Sequence, residues 1–177
     1  KDPPQHIVIE TSGLALPQPL VRAFNWPEIK SRVTVDGVIT VVDAKALAEG
    51  RFADDDDAVQ AQREADPNLD HENPIEELFE DQLNCADMVI LNKTDLLVGG
   101  ENEAVTAELR QKVRAGTRLV AARHGQIDVA ALLGVGASAE DDLHNRLSHH
   151  EMEGEEQHDH DDFVTFIVTL GEVDDRA

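Results

Sequence analysis

Residues 87–95 read DMVILNKTD, and the fold turns on them. Met88 to Leu91 form an unbroken apolar run, too short for a surface helix and lacking the alternation of a half-exposed strand. Such a run is a strand buried on both faces, the kind found inside parallel sheets. Ligands of these sheets sit beyond the carboxyl ends of the strands, so Asn92, Lys93, Thr94 and Asp95 fall where a binding site is expected.

The flanking sequence supplies the helices. In NPIEELFEDQLNCA (73–86), Asn73 is a candidate cap, Pro74 suits the first helical position, and Glu76 completes a capping box. Ile75, Leu78, Phe79, Leu83 and Ala86 then share one face. A second helix is predicted over Glu101–Ala115, with Val105, Leu109 and Val113 inward, an acidic start, and Arg110, Lys112 and Arg114 at the end; Gly116 can terminate it. Further strands are expected at HIVIE (6–10), VDGVITVVDA (35–44) and TRLVAA (117–122). A helix through Leu20–Trp26 can start at Pro17 or Pro19, and Val129–Leu133 reads as a short one. Lys45–Glu72 reads as a polar insertion with at most short helices. The alternation predicts an α/β fold: a mostly parallel sheet with helices on both faces. It is expected over residues 1–137, followed by an acidic, histidine-rich linker (138–162). FVTFIVTL (163–170) would open a second, α+β domain spanning 163–177.

Composition narrows the function classes. The 177 residues carry a formal charge of −22, with 41% hydrophobic content, so the chain can bury a core while its surface is strongly acidic. That surface repels nucleic-acid phosphates and anionic lipid, so neither is an expected partner; it attracts divalent cations. Cys85 is the only cysteine, which excludes an internal disulfide framework. No apolar run approaches the roughly 18 residues of a membrane span, and nothing reads as a signal peptide, so the expected compartment is the cytoplasm. The opening KDPPQHIVIE has no initiator methionine before a buried-type strand, and reads as a piece of a longer protein.

The strand-end motifs carry the chemistry. Asn92-Lys93-Thr94-Asp95 is an N-K-x-D sequence. A carboxylate there can accept two hydrogen bonds from the guanine N1–H and exocyclic amine, which adenine does not present. The asparagine amide can meet the purine N7 and brace the loop, while the lysine stem lies along the base plane. The plainer alternative is a polar turn in which Asp95 caps a short helix at Leu96–Val98. Glu10 and Gly13 form an E-x-x-G at the end of the expected first strand. A carboxylate so placed can hold the water shell of a nucleotide-bound Mg²⁺, and a glycine amide can approach a γ-phosphate. Ala121, Ala122 and Arg123 follow the strand after N-K-x-D, where backbone N–H groups could reach guanine O6. Asp43 reads as a cap for the next helix rather than a ligand, Cys85 as a small core residue, and Trp26 as a packing residue.

HIVIETSGLALPQPLV, VDGVITVVDA, NPIEELFEDQLNCADMVILNKTDLL, ARHGQIDVAALLG and the histidine-acid run before FVTFIVTL together resemble the CobW family of P-loop GTPases, in that family's order. With the preceding ADPNLDHEN, they look most like the cobalamin-biosynthesis branch. The resemblance implies a P-loop NTPase-like fold and a GTP-hydrolysing metallochaperone using Mg²⁺. In the cobalamin branch the cargo would be Co²⁺, handed to a cobaltochelatase; elsewhere in the family, Zn²⁺ or another metal. It places Glu10 and Gly13 at Mg²⁺ and the γ-phosphate, and Asn92, Lys93 and Asp95 at guanine. Neither G-x-x-x-x-G-K-[ST] nor C-x-C-C occurs in the sequence, so the 177 residues by themselves are expected to bind nucleotide very weakly and not to hydrolyse GTP. A passive metal-binding protein and a guanine-nucleotide switch without metal traffic are the competing classes.

One stretch bears on that choice. SHHEMEGEEQHDHDD (148–162) holds four histidines, seven carboxylates and no lysine or arginine. His149, His150, His158 and His160 suit Zn²⁺, Co²⁺ or Ni²⁺, but their spacing specifies no single tetrahedral site. Ordering such a run around a metal costs chain entropy, so weak, accessory binding is expected; a solvated linker is the alternative.

Overall fold

The computed structural model describes residues 4–53, 55–65 and 74–149. The order is α1 (Pro17–Ala23), α2 (Pro27–Lys30), β1 (Ile39–Asp43), α3 (Ala44–Ala48), α4 (Asp56–Ala65), α5 (Ile75–Cys85), β2 (Met88–Asn92), α6 (Glu101–Lys112), β3 (Arg118–Ala121) and α7 (Val129–Leu132). The three strands form one parallel sheet in the order β1-β2-β3. Helices cross between successive strands, as the alternation requires.

The central strand is as buried as its apolar run demands: Val89 is fully inaccessible, and Met88, Ile90 and Leu91 are nearly so. Burying each such side chain contributes about 1.5–3 kcal/mol. On one face, Val42, Val89 and Leu91 pack against Leu47 of α3, Phe79 and Leu83 of α5, and Val105 and Leu109 of α6. On the other, Met88 and Ile90 meet Ala122, Ile127, Leu132 and Val135. Among the described residues that second cover is α7 and its loops, and over β1 none lies on it, leaving Val41 65% exposed.

The structure departs from expectation at several points. His6–Ile9 is not a strand, and Ile7, Val8 and Ile9 are exposed. An extended apolar run becomes a strand only beside a hydrogen-bonding neighbour, and no described strand lies beside it. α5 starts at Ile75, with Pro74 in the cap position and no side-chain cap bond. The polar insertion contains the ten-residue α4, started by Asp55, whose Oδ1 accepts the Ala58 N–H at 2.9 Å. α6 stops at Lys112 because Val113 turns extended to reach the core. Pro17 opens α1, as expected. FVTFIVTL lies outside the described residues.

After α7 the chain folds back. Gly134, Val135 and Gly136 donate their N–H groups to Asp36 at 2.7, 3.2 and 2.8 Å. The Gly136 bond foremost holds the Asp36 carboxyl below its ordinary range. Glu140 then accepts from Thr34 Oγ1 and Val35 N, and Arg146 enters the interior at 1% exposure. Its guanidinium forks onto Asp87, with Nη2–Oδ1 at 2.7 Å and Nη1–Oδ2 at 3.0 Å. Residues 138–149 thus lie against α1, α5 and the entry to β2.

Cys85 sits in this region, fully inaccessible beside Val21 and Ala139. Burial pushes its thiol up to about 11. We therefore expect no alkylation of native Cys85 by iodoacetamide at pH 8, and full reaction once the chain is unfolded. Equal rates in the two states would contradict this packing.

Candidate functional site

The carboxyl ends of all three strands converge on the N-K-x-D loop. Asn92 ends β2, and its side-chain Oδ1 accepts the Gly125 N–H at 2.9 Å. One amide oxygen is therefore committed to the loop after β3, which leaves the amide NH₂ for a ligand. Thr94 ties the same two loops: its N–H and hydroxyl both donate to the Ala122 carbonyl, at 3.2 and 2.9 Å. Lys93 adopts a left-handed backbone, φ 61°, and its ammonium lies 2.6 Å from Asp43 at the end of β1. Asp95 lies inside the short 3₁₀ turn Thr94–Leu96, which Lys93 precedes and no side chain caps, and His124 Nε2 lies 3.5 Å from its carboxylate. His124 also has a left-handed backbone, φ 52°. Two of the three non-glycine residues with positive φ among the described residues thus sit on these loops, a pattern associated with functional sites.

Beside this cluster lies a cleft of about 550 Å³, lined by Thr94, the 97–100 loop, Asn102, Ala121, Ala122, Arg123 and Gln126. Asn92, Lys93 and Asp95 are not among its lining residues, so the hydrogen-bonding edge and the cleft are neighbours that share Thr94. For base reading the hydrogen-bonding groups weigh more than the cavity, because they alone distinguish guanine from adenine.

Glu10 and Gly13 stand apart. Both are exposed, on a segment outside the sheet. Gln82 Nε2 donates to the Gly13 carbonyl at 2.8 Å and to the Ala15 carbonyl at 3.1 Å, which ties this loop to α5. The described residues gather no ligand set around Glu10 that would fit Mg²⁺.

Of the four histidines in the acidic run, His149 alone falls within the described residues; His150, His158 and His160 lie outside them. His149 Nδ1 is 2.8 Å from Asp81, which also accepts its backbone N–H at 2.9 Å, and Nε2 is 3.4 Å from Glu80. The hydrogen bond to Asp81 foremost raises its pKa above the ordinary value. As described, both ring nitrogens face carboxylates. Among the described residues, no group of three His, Cys, Asp or Glu side chains is placed to hold a metal ion.

Sequence reasoning missed three contributors. Asp43 does cap α3, with its Oδ1 accepting from Lys45 and Ala46 N–H, but its second oxygen meets Lys93. His124 and Gly125 were passed over beside the small residues Ala121 and Ala122. The available signal was positional: Asp43 ends β1, and His124 and Gly125 follow β3.

A parallel α/β sheet with an N-K-x-D loop at its carboxyl edge defines a nucleotide-binding class. Residues 1–121 match the family model described as CobW/HypB/UreG, nucleotide-binding domain, and the chain belongs to that family. It is 57% identical over 98% of its length to a protein named zinc chaperone CobW from Sinorhizobium sp, covering 50% of that protein. It is 53% identical over 97% of its length to a zinc chaperone CobW from Pseudomonas aeruginosa, covering 46% of it. A zinc-regulated GTPase metalloprotein activator 1 from Schizosaccharomyces pombe is 30% identical over 79% of the chain. The chain thus spans about half the length of the first two relatives. No solved structure matches it significantly. Among the described residues, no helix is long and apolar enough to cross a membrane.

Proposed function

We propose that the whole protein is a GTP-binding, GTP-hydrolysing metallochaperone whose cargo is Zn²⁺, and that this chain supplies its guanine-reading half. The observation that carries the reading is the braced loop at the end of β2, where Asn92, Lys93 and Asp95 stand at one sheet edge. In it, Asp95 accepts from the guanine N1–H and amine, the Asn92 amide donates to N7, and Lys93 lies along the base. The backbone N–H of Ala121 serves O6; that of Ala122, also expected there, is already donated to the Leu91 carbonyl at 2.8 Å. By the family pattern Glu10 and Gly13 would stand at Mg²⁺ and the γ-phosphate, although here both are exposed outside the sheet. Mg²⁺, if bound, would supply charge neutralisation to the nucleotide's phosphates.

The relatives' names support zinc. Nothing in the comparisons supports Co²⁺ or a cobaltochelatase client, the expectation drawn from resemblance to the cobalamin branch. In this proposal the nucleotide-binding unit (1–137) leads through residues 138–162 to a second domain opened by 163–177. His150, His158 and His160 collect metal weakly, as an accessory to a tighter site elsewhere, whereas both ring nitrogens of His149 already face carboxylates.

The test is Zn²⁺ and Co²⁺ affinity of the full-length protein with and without Mg-GTP, with Mg-ATP as control. At least a tenfold change in Zn²⁺ affinity with GTP alone is expected, a coupling of about 1.4 kcal/mol. Affinity indifferent to nucleotide would leave a passive metal binder. Coupling confined to Co²⁺ would return the cargo to cobalt.

A further inference from the structure

Resting on the guanine-reading proposal and deepening it, we infer that Asp43 is a positioning residue of the nucleotide site, holding Lys93 extended along the carboxyl edge of the sheet. The ladder pairs Asp43 with Asn92, so Lys93 leaves β2 immediately beyond the residue that faces Asp43. One carboxylate oxygen, Oδ1, is fixed by the N–H groups of Lys45 and Ala46 at 2.9 and 3.1 Å. The other is thereby aimed at Lys93 Nζ, 2.6 Å away, with the two side chains 17% and 36% exposed.

The arrangement matters because lysine is a costly residue to order. Its four-carbon stem carries several rotatable bonds, and freezing them on ligand binding opposes affinity. A stem already tethered at its far end presents its methylenes to a purine face with that ordering complete. The left-handed backbone at Lys93, φ 61°, directs the residue away from the strand's ordinary course. Asp43 supplies the electrostatic anchor in that setting. Its two roles, capping α3 and anchoring Lys93, use different oxygens and can be separated by mutation. Asparagine caps a helix about as well as aspartate but carries no charge. Asp43→Asn therefore keeps the cap and removes the ion pair, whereas Asp43→Ala removes both.

The experiment is a double-mutant cycle in the full-length protein, reading GTP affinity by calorimetry for wild type, Asp43→Asn, Lys93→Ala and the pair. Asp43→Asn should weaken GTP binding by roughly five- to tenfold while thermal stability stays at the wild-type value. The double variant should bind no more weakly than Lys93→Ala alone, because Asp43 acts through that lysine. Wild-type GTP affinity in Asp43→Asn, or losses that simply add, would overturn the inference. Asp43→Ala, with its lowered melting temperature, shows what a purely structural role would produce. A wild type that binds ATP as well as GTP would sink the guanine-reading proposal itself. A preserved preference with additive losses would sink only the role of Asp43.

Discussion

Asp95→Asn is expected to weaken GTP binding by the full-length protein by about two to three orders of magnitude and to raise its affinity for xanthosine triphosphate. In the proposed site the carboxylate reads guanine because it is purely an acceptor, matched to two donors, the N1–H and the exocyclic amine. An amide in its place keeps one acceptor and turns an NH₂ toward the guanine amine, so one bond is lost and two donors face each other. Xanthine carries a carbonyl where guanine carries that amine, and the same NH₂ then finds an acceptor. The change should leave the fold intact, since the contact the described structure gives the Asp95 side chain is with the exposed His124 at 3.5 Å. Calorimetric titration with the two nucleotides checks it, with thermal melting as the control. Unchanged GTP affinity would mean that Asp95 is only part of a polar turn.

Arg146→Ala should be among the most destabilising single changes in the chain, lowering unfolding free energy by about 3–5 kcal/mol. The guanidinium is 1% exposed, forks onto Asp87, and donates to the Cys85 carbonyl at 2.5 Å. Its removal leaves Asp87, 11% exposed, with Arg114 at 3.1 Å as its remaining ion-pair partner, and opens a void between α5 and the 139–146 segment. Domains commonly have only about 5–15 kcal/mol of stability, so the loss is a large fraction. Arg146→Met fills the space without the charge and should recover part of it. Urea unfolding of the three proteins tests this; a midpoint shift for Arg146→Ala no larger than that of an exposed change such as Arg32→Ala would contradict it. Arg146 also explains the course of the chain after α7. Read as sequence, that stretch is polar and uneventful, because a lone arginine among acidic residues gives no sign that it will be buried.

The legible parts of the site were those with a local cause. Met88–Leu91 had to be a doubly covered strand, and a strand of that kind puts Asn92 to Asp95 at a ligand edge. Pro17 and Asp43 each start a helix for reasons contained within a few residues. The parts that depend on distant neighbours were not legible. Nothing near Asp43 in the sequence indicates Lys93, fifty residues on, and nothing near Asn92 indicates Gly125. The same reason accounts for His6–Ile9, whose β-branched residues favour an extended chain yet cannot supply the partner that makes one a strand.

Sequence alone therefore determined the layer class, the central strand and the place of the N-K-x-D loop at the sheet's carboxyl edge, because periodicity and strand-end chemistry are properties of contiguous residues. Tertiary structure decided which side chains meet at that loop, how the acidic stretch after α7 is tied down by Arg146 and His149, and that Glu10 stands outside the sheet. Each of these rests on contacts between residues far apart in the chain, and only packing chooses them.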